Sequence, residues 1–126
     1  MKLLGKKMFK TGVRDYPILS RAITYSIDTL NESISPDPFN KKLNKKYKRI
    51  YSVLEKYQDK APEKVLRGEL PSILYALIIW KLYIDDVCII DFTGKQKQYL
   101  KSESNTLGLV IKKLRNLGIQ PVIREV

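Results

Sequence analysis

The chain has 126 residues, of which 24 are lysine or arginine and 13 are acidic, so its formal net charge is +11. Hydrophobic residues make up 44% of it, which is typical of a folded domain and excludes a disordered polyelectrolyte. The single cysteine, Cys88, excludes an internal disulfide, and the lack of histidine removes a common general base and metal ligand. We therefore expect one globular domain whose charge meets an anionic partner.

The N-terminal region divides into a basic segment and a first helix. Residues 1–14 are basic and interrupted by glycines, which leaves open a frayed terminus or a basic arm that becomes ordered on nucleic acid. The globular domain is expected over residues 15–126. Its first helix should begin near Tyr16 and Pro17, because proline favours a first helical turn, and should end before the proline-containing segment 35–38.

The middle of the chain is expected to be mainly helical. A second, amphipathic helix is predicted over residues 39–59, followed by a short helix over 62–68. Residues 70–84 are apolar at nearly every position, which predicts a helix enclosed by the others. This run is shorter than the roughly 20 residues that a spanning helix needs, so no transmembrane segment is expected. The β-branched run 87–92 predicts a strand, and residues 95–101 stay open between strand and helix.

The C-terminal region completes the predicted fold. A helix is expected over residues 106–117, ended by Gly118, and a final strand over 119–126. The fold class is therefore α+β and predominantly helical: an N-terminal helical bundle, a small β-sheet and one further helix. The start of the chain lacks the apolar run of a secretory signal, so we expect a cytoplasmic protein, or one associated with a nucleoid or virion.

Two clusters of basic residues point to the partner. The second helix opens with cations that lie away from its apolar seam, where they are able to face a phosphate backbone together: Lys41, Lys42, Lys45, Lys46, Lys48 and Arg49. A second cluster follows in the C-terminal helix: Lys112, Lys113 and Arg115. Lysine outnumbers arginine by eighteen to six, which favours contact with the backbone over bidentate reading of bases. A solvated face that only confers solubility is the alternative.

Residues 100–119 resemble the turn, recognition helix and first wing residues of winged helix-turn-helix DNA-binding domains. The positions that fit the pattern of that family are Leu107, Ile111, Leu114 and Gly118. The resemblance implies that the polar residues at the start of the recognition helix face the major groove, here Ser104, Asn105 and Thr106. It also implies phosphate contacts further along this helix, from Lys112, Lys113 and Arg115.

The expected function is non-catalytic binding of nucleic acid, with DNA favoured over RNA, as a small regulator or replication-associated factor. No cofactor or metal site is expected, because no glycine-rich phosphate loop and no paired cysteines are present. Three alternatives stay open. They are a structural protein that self-associates through its helices, an acidic protein partner, and a metal-dependent nuclease built on Asp85, Asp86 and Asp91 with Lys95. A defined homodimer would suit a regulator, and a higher oligomer would suit a structural component.

Overall fold

The computed structural model describes residues 3–5, 16–33, 41–58 and 64–123, and the side chains of residues 20–32, 41–58, 67–87 and 90–123. Within these ranges four helices follow one another along the chain: α1 over Tyr16–Ser33, α2 over Lys41–Tyr57, α3 over Leu70–Tyr83 and α4 over Gly94–Asn116. The predicted first, second and central helices are confirmed. Residues 1–14, for which the sequence leaves open a frayed terminus or a basic arm, lie largely outside the described residues, and so does the segment 35–38.

Short helical turns flank the central helix α3. A 3₁₀ turn over Arg67–Glu69 leads into it, and Pro71 occupies its first turn, where a missing N–H costs no hydrogen bond. After Tyr83 the chain continues through a π-helical turn over Ile84–Cys88 and a last helical turn over Ile89–Asp91. The helical path therefore runs on past the point where the sequence predicts a strand.

Helix α3 forms the centre of the fold and packs against α1, α2 and α4. Its side chains are buried at eight positions in the first nine: Leu70, Ser72, Ile73, Leu74, Tyr75, Ala76, Leu77 and Ile78. Burying each large apolar side chain of this kind stabilises the fold by about 1.5–3 kcal/mol. The enclosed helix that the apolar run predicts is thus the element on which the other helices assemble.

Helices α1 and α2 each present one apolar face to the core. On α1, Ala22 and Ser26 are small, and the Ser26 hydroxyl donates to the carbonyl of Ala76 at 3.4 Å, so α1 and α3 approach closely. On α2, Ile50 and Leu54 are fully buried, and the flanking tyrosines pack partly buried against the same core. The apolar seam of α2 is therefore an internal packing surface, and the tyrosines of α2 serve the core.

The C-terminal end of α4 closes with a glycine, as the sequence predicts. Gly118 has a φ of 83°, and its N–H donates to the carbonyl of Arg115 at 2.9 Å. The N–H of Ile119 donates to the carbonyl of Leu114 at 3.1 Å, which completes a Schellman motif. The chain then turns back to α3, where the N–H of Val122 donates to the carbonyl of Pro71 at 3.4 Å.

The predicted α+β fold class is wrong, because the fold is all-α. Residues 87–91 are helical, and residues 119–123 form no strand. The predicted short helix over 62–68 is also wrong at Lys64–Leu66, which pairs antiparallel with Leu3–Gly5 in a ladder of three residues. This ladder is too short to form a layer of the fold, and no other strand pairing occurs within the described residues.

Candidate nucleic-acid interface

The outer face of α2 is a surface of free positive charge, which we call the α2 basic face. Its side chains are all exposed: Lys41, Lys42, Lys45, Lys46, Lys48 and Arg49. Among the residues that the structure describes, none of these six cations has an ion-pair or hydrogen-bond partner. Because Ile50 and Leu54 anchor the opposite face in the core, the basic residues all point towards solvent.

The position of this charge within α2 works against the stability of the helix. Lys41 and Lys42 lie in the first turn, which contains no acidic residue, and Lys45 and Lys46 follow one turn later. The partial positive charge at a helix N-terminus favours acidic residues and disfavours cations by about 0.3–1 kcal/mol each. A sequence that served only the stability of the helix would carry the opposite order of charges, with acids first. The arrangement therefore favours binding of an anion.

A groove lies beside the α2 basic face and links it to the C-terminal segment. It has a volume of about 350 Å³ and is lined by Lys45, Lys46 and Arg49 of α2, by Pro71 of α3, and by residues 120–122. The Schellman motif and the bond from Val122 to Pro71 fix the C-terminal segment along this groove. The groove is thus a concave surface lined by three cations and by Gln120, whose side chain carries an amide.

The C-terminal cluster of α4 lies at the end of the bundle where α3 begins. Lys112 and Arg115 are exposed, and Lys113 is half-buried. Nearby, the Arg67 guanidinium donates to the carbonyl of Leu117 at 2.7 Å, which adds another cation at this helix end. Because residues 120–122 connect this end to the groove, the fold brings the two predicted basic clusters to the same end of the bundle.

Asn105 and Thr106, the other two predicted contact residues, lie elsewhere. They sit in the middle of α4, about 9–15 Å from the residues of its C-terminal cluster at 1.5 Å of rise per residue. Asn105 is exposed, whereas the Thr106 hydroxyl donates to the carbonyl of Ser102 at 3.1 Å. The preceding Ser104 is buried and donates to Asp85 at 2.5 Å. These residues are therefore not part of the surface that α2 and the groove form.

The segment that resembles a winged helix-turn-helix lies within one continuous helix. Residues 94–116 are helical throughout, so the turn implied at residues 100–106 falls in the interior of α4. Ser104, Asn105 and Thr106 consequently do not stand at a helix N-terminus, where the resemblance places its groove-reading residues. The resemblance itself stays a prediction, and the α2 basic face does not depend on it.

The acidic residues considered for a nuclease site have other surroundings. Asp85 accepts hydrogen bonds from Lys81 at 2.6 Å and from Ser104 at 2.5 Å. Burial alone raises the pKa of Asp85, but the two hydrogen bonds and the charge of Lys81 outweigh it, so the pKa is lowered. Asp86 and Asp91 are exposed. In the part of the chain that the structure describes, no three potential metal ligands cluster together.

A second cavity, which the sequence does not reveal, lies between α1, α3 and α4. We call it the aromatic pocket; it has a volume of about 470 Å³. It is lined by three aromatic rings, two cations and two further side chains: Trp80, Phe92, Tyr99, Arg21, Lys95, Gln96 and Leu100. Several of these residues are far apart in the chain. The sequence therefore shows which residue types are present, notably the single tryptophan, but not that they meet in one cavity.

A buried carboxylate organises the aromatic pocket. Glu103, whose side chain is 1% exposed, forms an ion pair with Arg21 and accepts a hydrogen bond from the indole N–H of Trp80 at 2.5 Å. Arg21 also donates to the Tyr99 hydroxyl at 2.9 Å, and its guanidinium lies 5.8 Å from the centre of that ring. The hydrogen bond to Glu103 raises the pKa of Arg21, whose guanidinium is already fully charged at neutral pH.

Comparisons with protein-family models, curated proteins and solved structures found no match to this chain. In the described part of the chain, none of the helices is both long enough and apolar enough to cross a membrane.

Proposed function

We propose that this protein binds nucleic acid through the α2 basic face and its adjoining groove, with DNA as the expected partner. The observation that carries the proposal is the set of lysines at the start of α2, which are exposed, without partners among the described residues, and placed against the helix dipole. Phosphate groups are the ligands that such a surface suits, because several cations can replace condensed counterions at once.

The groove gives the proposed contact a shape as well as a charge. Lys45, Lys46 and Arg49 line it on the α2 side, and Gln120 lines it from the C-terminal segment. A bound strand that follows this groove continues towards Lys112 and Arg115 at the end of α4. Contacts of this kind position a nucleic acid without reading its sequence, since they address phosphate and sugar.

The test is a salt titration of DNA binding with a pair of matched variants. Lys45→Glu/Lys46→Glu reverses two charges in the groove, and Lys97→Glu/Lys101→Glu makes the same change of net charge on α4, away from the groove. Binding is measured by fluorescence anisotropy with a random-sequence duplex and a single strand of equal length. Circular dichroism confirms that both variants keep the helical content of the wild type.

We expect the affinity of the wild type to fall linearly in log salt, with a slope of about −0.9 per phosphate for duplex DNA and −0.7 for single strands. With the duplex, the groove variant should lose affinity and reduce the steepness of that slope by about two phosphates, and the α4 variant should keep the slope. Equal losses in both variants, or no binding of the wild type at low salt, would overturn the proposal and direct the search to an acidic protein.

Self-association is the second candidate function, and a specific observation favours testing it. The apolar seam of α2 is used within the molecule, but Ile90 and Leu109 are 76% and 65% exposed. A contact between copies of the chain that covered these two side chains would be favoured, because it would remove their apolar surface from water. Light scattering with and without DNA distinguishes the two functions, because a structural protein forms open-ended or higher-order oligomers on its own, whereas a DNA-binding regulator stays monomeric or forms a defined dimer.

A further inference from the structure

We propose that the aromatic pocket takes one unpaired nucleobase of a single-stranded nucleic acid bound to the protein. This inference rests on the proposed function, because it assigns a base-binding site to the strand whose phosphates the basic surfaces hold. The pocket lies about 14 Å along α3 from the groove, counted from Pro71 to Trp80 at 1.5 Å per residue. It is therefore a separate site and not an extension of the phosphate groove.

The size and the lining of the pocket suit a flat aromatic ligand. Its volume of about 470 Å³ falls in the range of small-molecule sites, roughly 300–1,000 Å³, and its lining is mainly apolar with a few polar groups. Phe92 and Tyr99 keep 38% and 56% of their surface exposed, so two aromatic rings face water at the mouth of one cavity. Stacking against a nucleobase covers such rings without requiring a particular sequence.

The back of the pocket is rigid before any ligand binds. The Trp80 indole is held by its hydrogen bond to Glu103, and on its other side it contacts Tyr25 and Tyr83 at centroid distances of 5.4 and 5.7 Å. Arg21 is fixed between Glu103 and Tyr99. A ligand that enters therefore needs to order few side chains, which reduces the entropic cost of binding.

The charges at the rim favour a ligand that carries phosphate. Lys95 is exposed and has no partner among the described residues, so its charge is available to an anion. Arg21 adds positive charge that Glu103 partly neutralises. A neighbouring cavity that shares Arg21 and Trp80 with the pocket, but not Lys95, is lined by Asp28. A phosphate attached to the bound base is therefore expected on the Lys95 side.

Trp80 is the only tryptophan, so its fluorescence reports directly on this pocket. The probes are an oligothymidylate of about ten nucleotides, within the site sizes known for single-strand binders, and an abasic oligomer with the same number of phosphates. Thymidine monophosphate is the third probe. The variants are Phe92→Ala, which removes an exposed ring of the pocket, and Leu82→Ala, which removes an apolar side chain of nearly equal exposure (39% against 38%) outside it.

We expect both oligomers to bind with the same salt slope, but only the oligothymidylate to change the Trp80 emission and to gain affinity from its bases. Phe92→Ala should reduce its affinity by roughly 5- to 30-fold and leave abasic binding unchanged, since one stack is lost. Leu82→Ala should change neither the affinity for the oligothymidylate nor that for the abasic oligomer. Tyr99→Phe, which keeps the ring and loses its hydrogen bond to Arg21, should retain the preference for bases.

Three outcomes would count against the proposal, and they differ from a failure of the proposed function. Equal affinity for the two oligomers with unchanged Trp80 emission would overturn the base site while leaving phosphate binding intact. If thymidine monophosphate binds as tightly as the oligothymidylate, the pocket is a site for a free nucleotide, and the proposal that it takes a base of a bound strand is overturned. If neither oligomer binds at low salt, the proposed function itself fails.

Discussion

At the scale of single residues, two carboxylates tie α4 to the rest of the molecule. Glu103 is almost fully buried, and a buried charge is tolerated only when partners satisfy it, as Arg21 and Trp80 do here. Asp85 lies in the π-helical turn and joins Lys81 of the preceding helix to Ser104 of α4. Both carboxylates therefore act across the seam between α3 and α4.

Replacing Asp85 by asparagine should destabilise the protein by about 1 kcal/mol at neutral pH, because it removes an ion pair that is about one-third exposed. The pKa of Asp85 is lowered from 3.8 in the folded protein. Its stabilising contribution is thus complete above pH 3.8 and is lost as the pH falls through the lower, folded value. Urea unfolding of wild type and variant at pH 7 and at several acidic pH values measures this difference.

The difference between the two proteins should shrink below pH 3.8. Asp86→Asn is the matched control, since Asp86 is exposed and adjacent, and it should stay within about 0.5 kcal/mol of the wild type throughout. A difference for Asp85→Asn that stays constant down to the lowest pH at which the protein is folded would show that the charge of Asp85 has no role.

At the scale of secondary-structure elements, the end of α4 determines where the C-terminal segment runs. The Schellman motif reverses the chain at Gly118 and brings Ile119 and Ile123 into the core beside α3. Residues 120–122 then line the groove next to α2. A single left-handed residue thus connects the packing of the core with the shape of the proposed binding surface.

Gly118→Ala should cost about 1–2 kcal/mol, because an L-residue is strained at a φ of 83°. An added Cβ would meet only Arg67 Nη2, at 3.9 Å, so the cost comes from the backbone and not from a clash. The midpoint of thermal unfolding should fall by about 4–8 °C. Gly118→Asn should lose less stability than Gly118→Ala, since asparagine tolerates this conformation. Equal stability of the wild type and both variants would contradict the assigned Schellman motif.

At the scale of the whole molecule, the net charge of +11 makes the folded state repel itself. We expect the midpoint of thermal unfolding to rise by about 2–5 °C when the ionic strength increases from about 0.01 M to 0.15 M, as the Debye length shortens from about 30 to 8 Å. Calorimetry in a simple salt measures this change. Lys45→Glu/Lys46→Glu has a smaller net charge, so its midpoint should rise less. If the midpoint of the wild type instead falls as salt is added, attraction within ion pairs outweighs the repulsion between like charges.

The helices with regular apolar spacing were predictable from the sequence, and the segments around them were not. Residues 87–91 contain β-branched side chains that favour a strand, but Val87 and Ile90 are exposed, so no sheet buries them, and the helical path from α3 continues. In the C-terminal segment, Ile119, Pro121 and Ile123 are buried and Gln120 is exposed. This alternation imitates a strand, although the segment packs on helices.

The candidate site was predictable only in part, for a similar reason. The α2 basic face follows directly from helical periodicity, because the apolar seam fixes which residues face outward. The aromatic pocket depends on contacts such as Arg21 with Glu103, which are 82 residues apart. No local pattern indicates a pairing over such a distance, and the continuous α4 replaces the turn that the sequence of residues 100–106 suggests.

The return of the C-terminal segment to α3 has a consequence for synthesis on the ribosome. Ile119 and Ile123 complete the core beside the central helix, and Val122 bonds to Pro71, some 50 residues earlier. A nascent chain that has not yet released residues 119–123 from the exit tunnel lacks these contacts, so α3 stays partly uncovered while translation continues. At about 5–20 residues per second, synthesis of the chain between α3 and residues 119–123 takes seconds. Chaperones that bind apolar segments can bind the uncovered surface of α3 during that time.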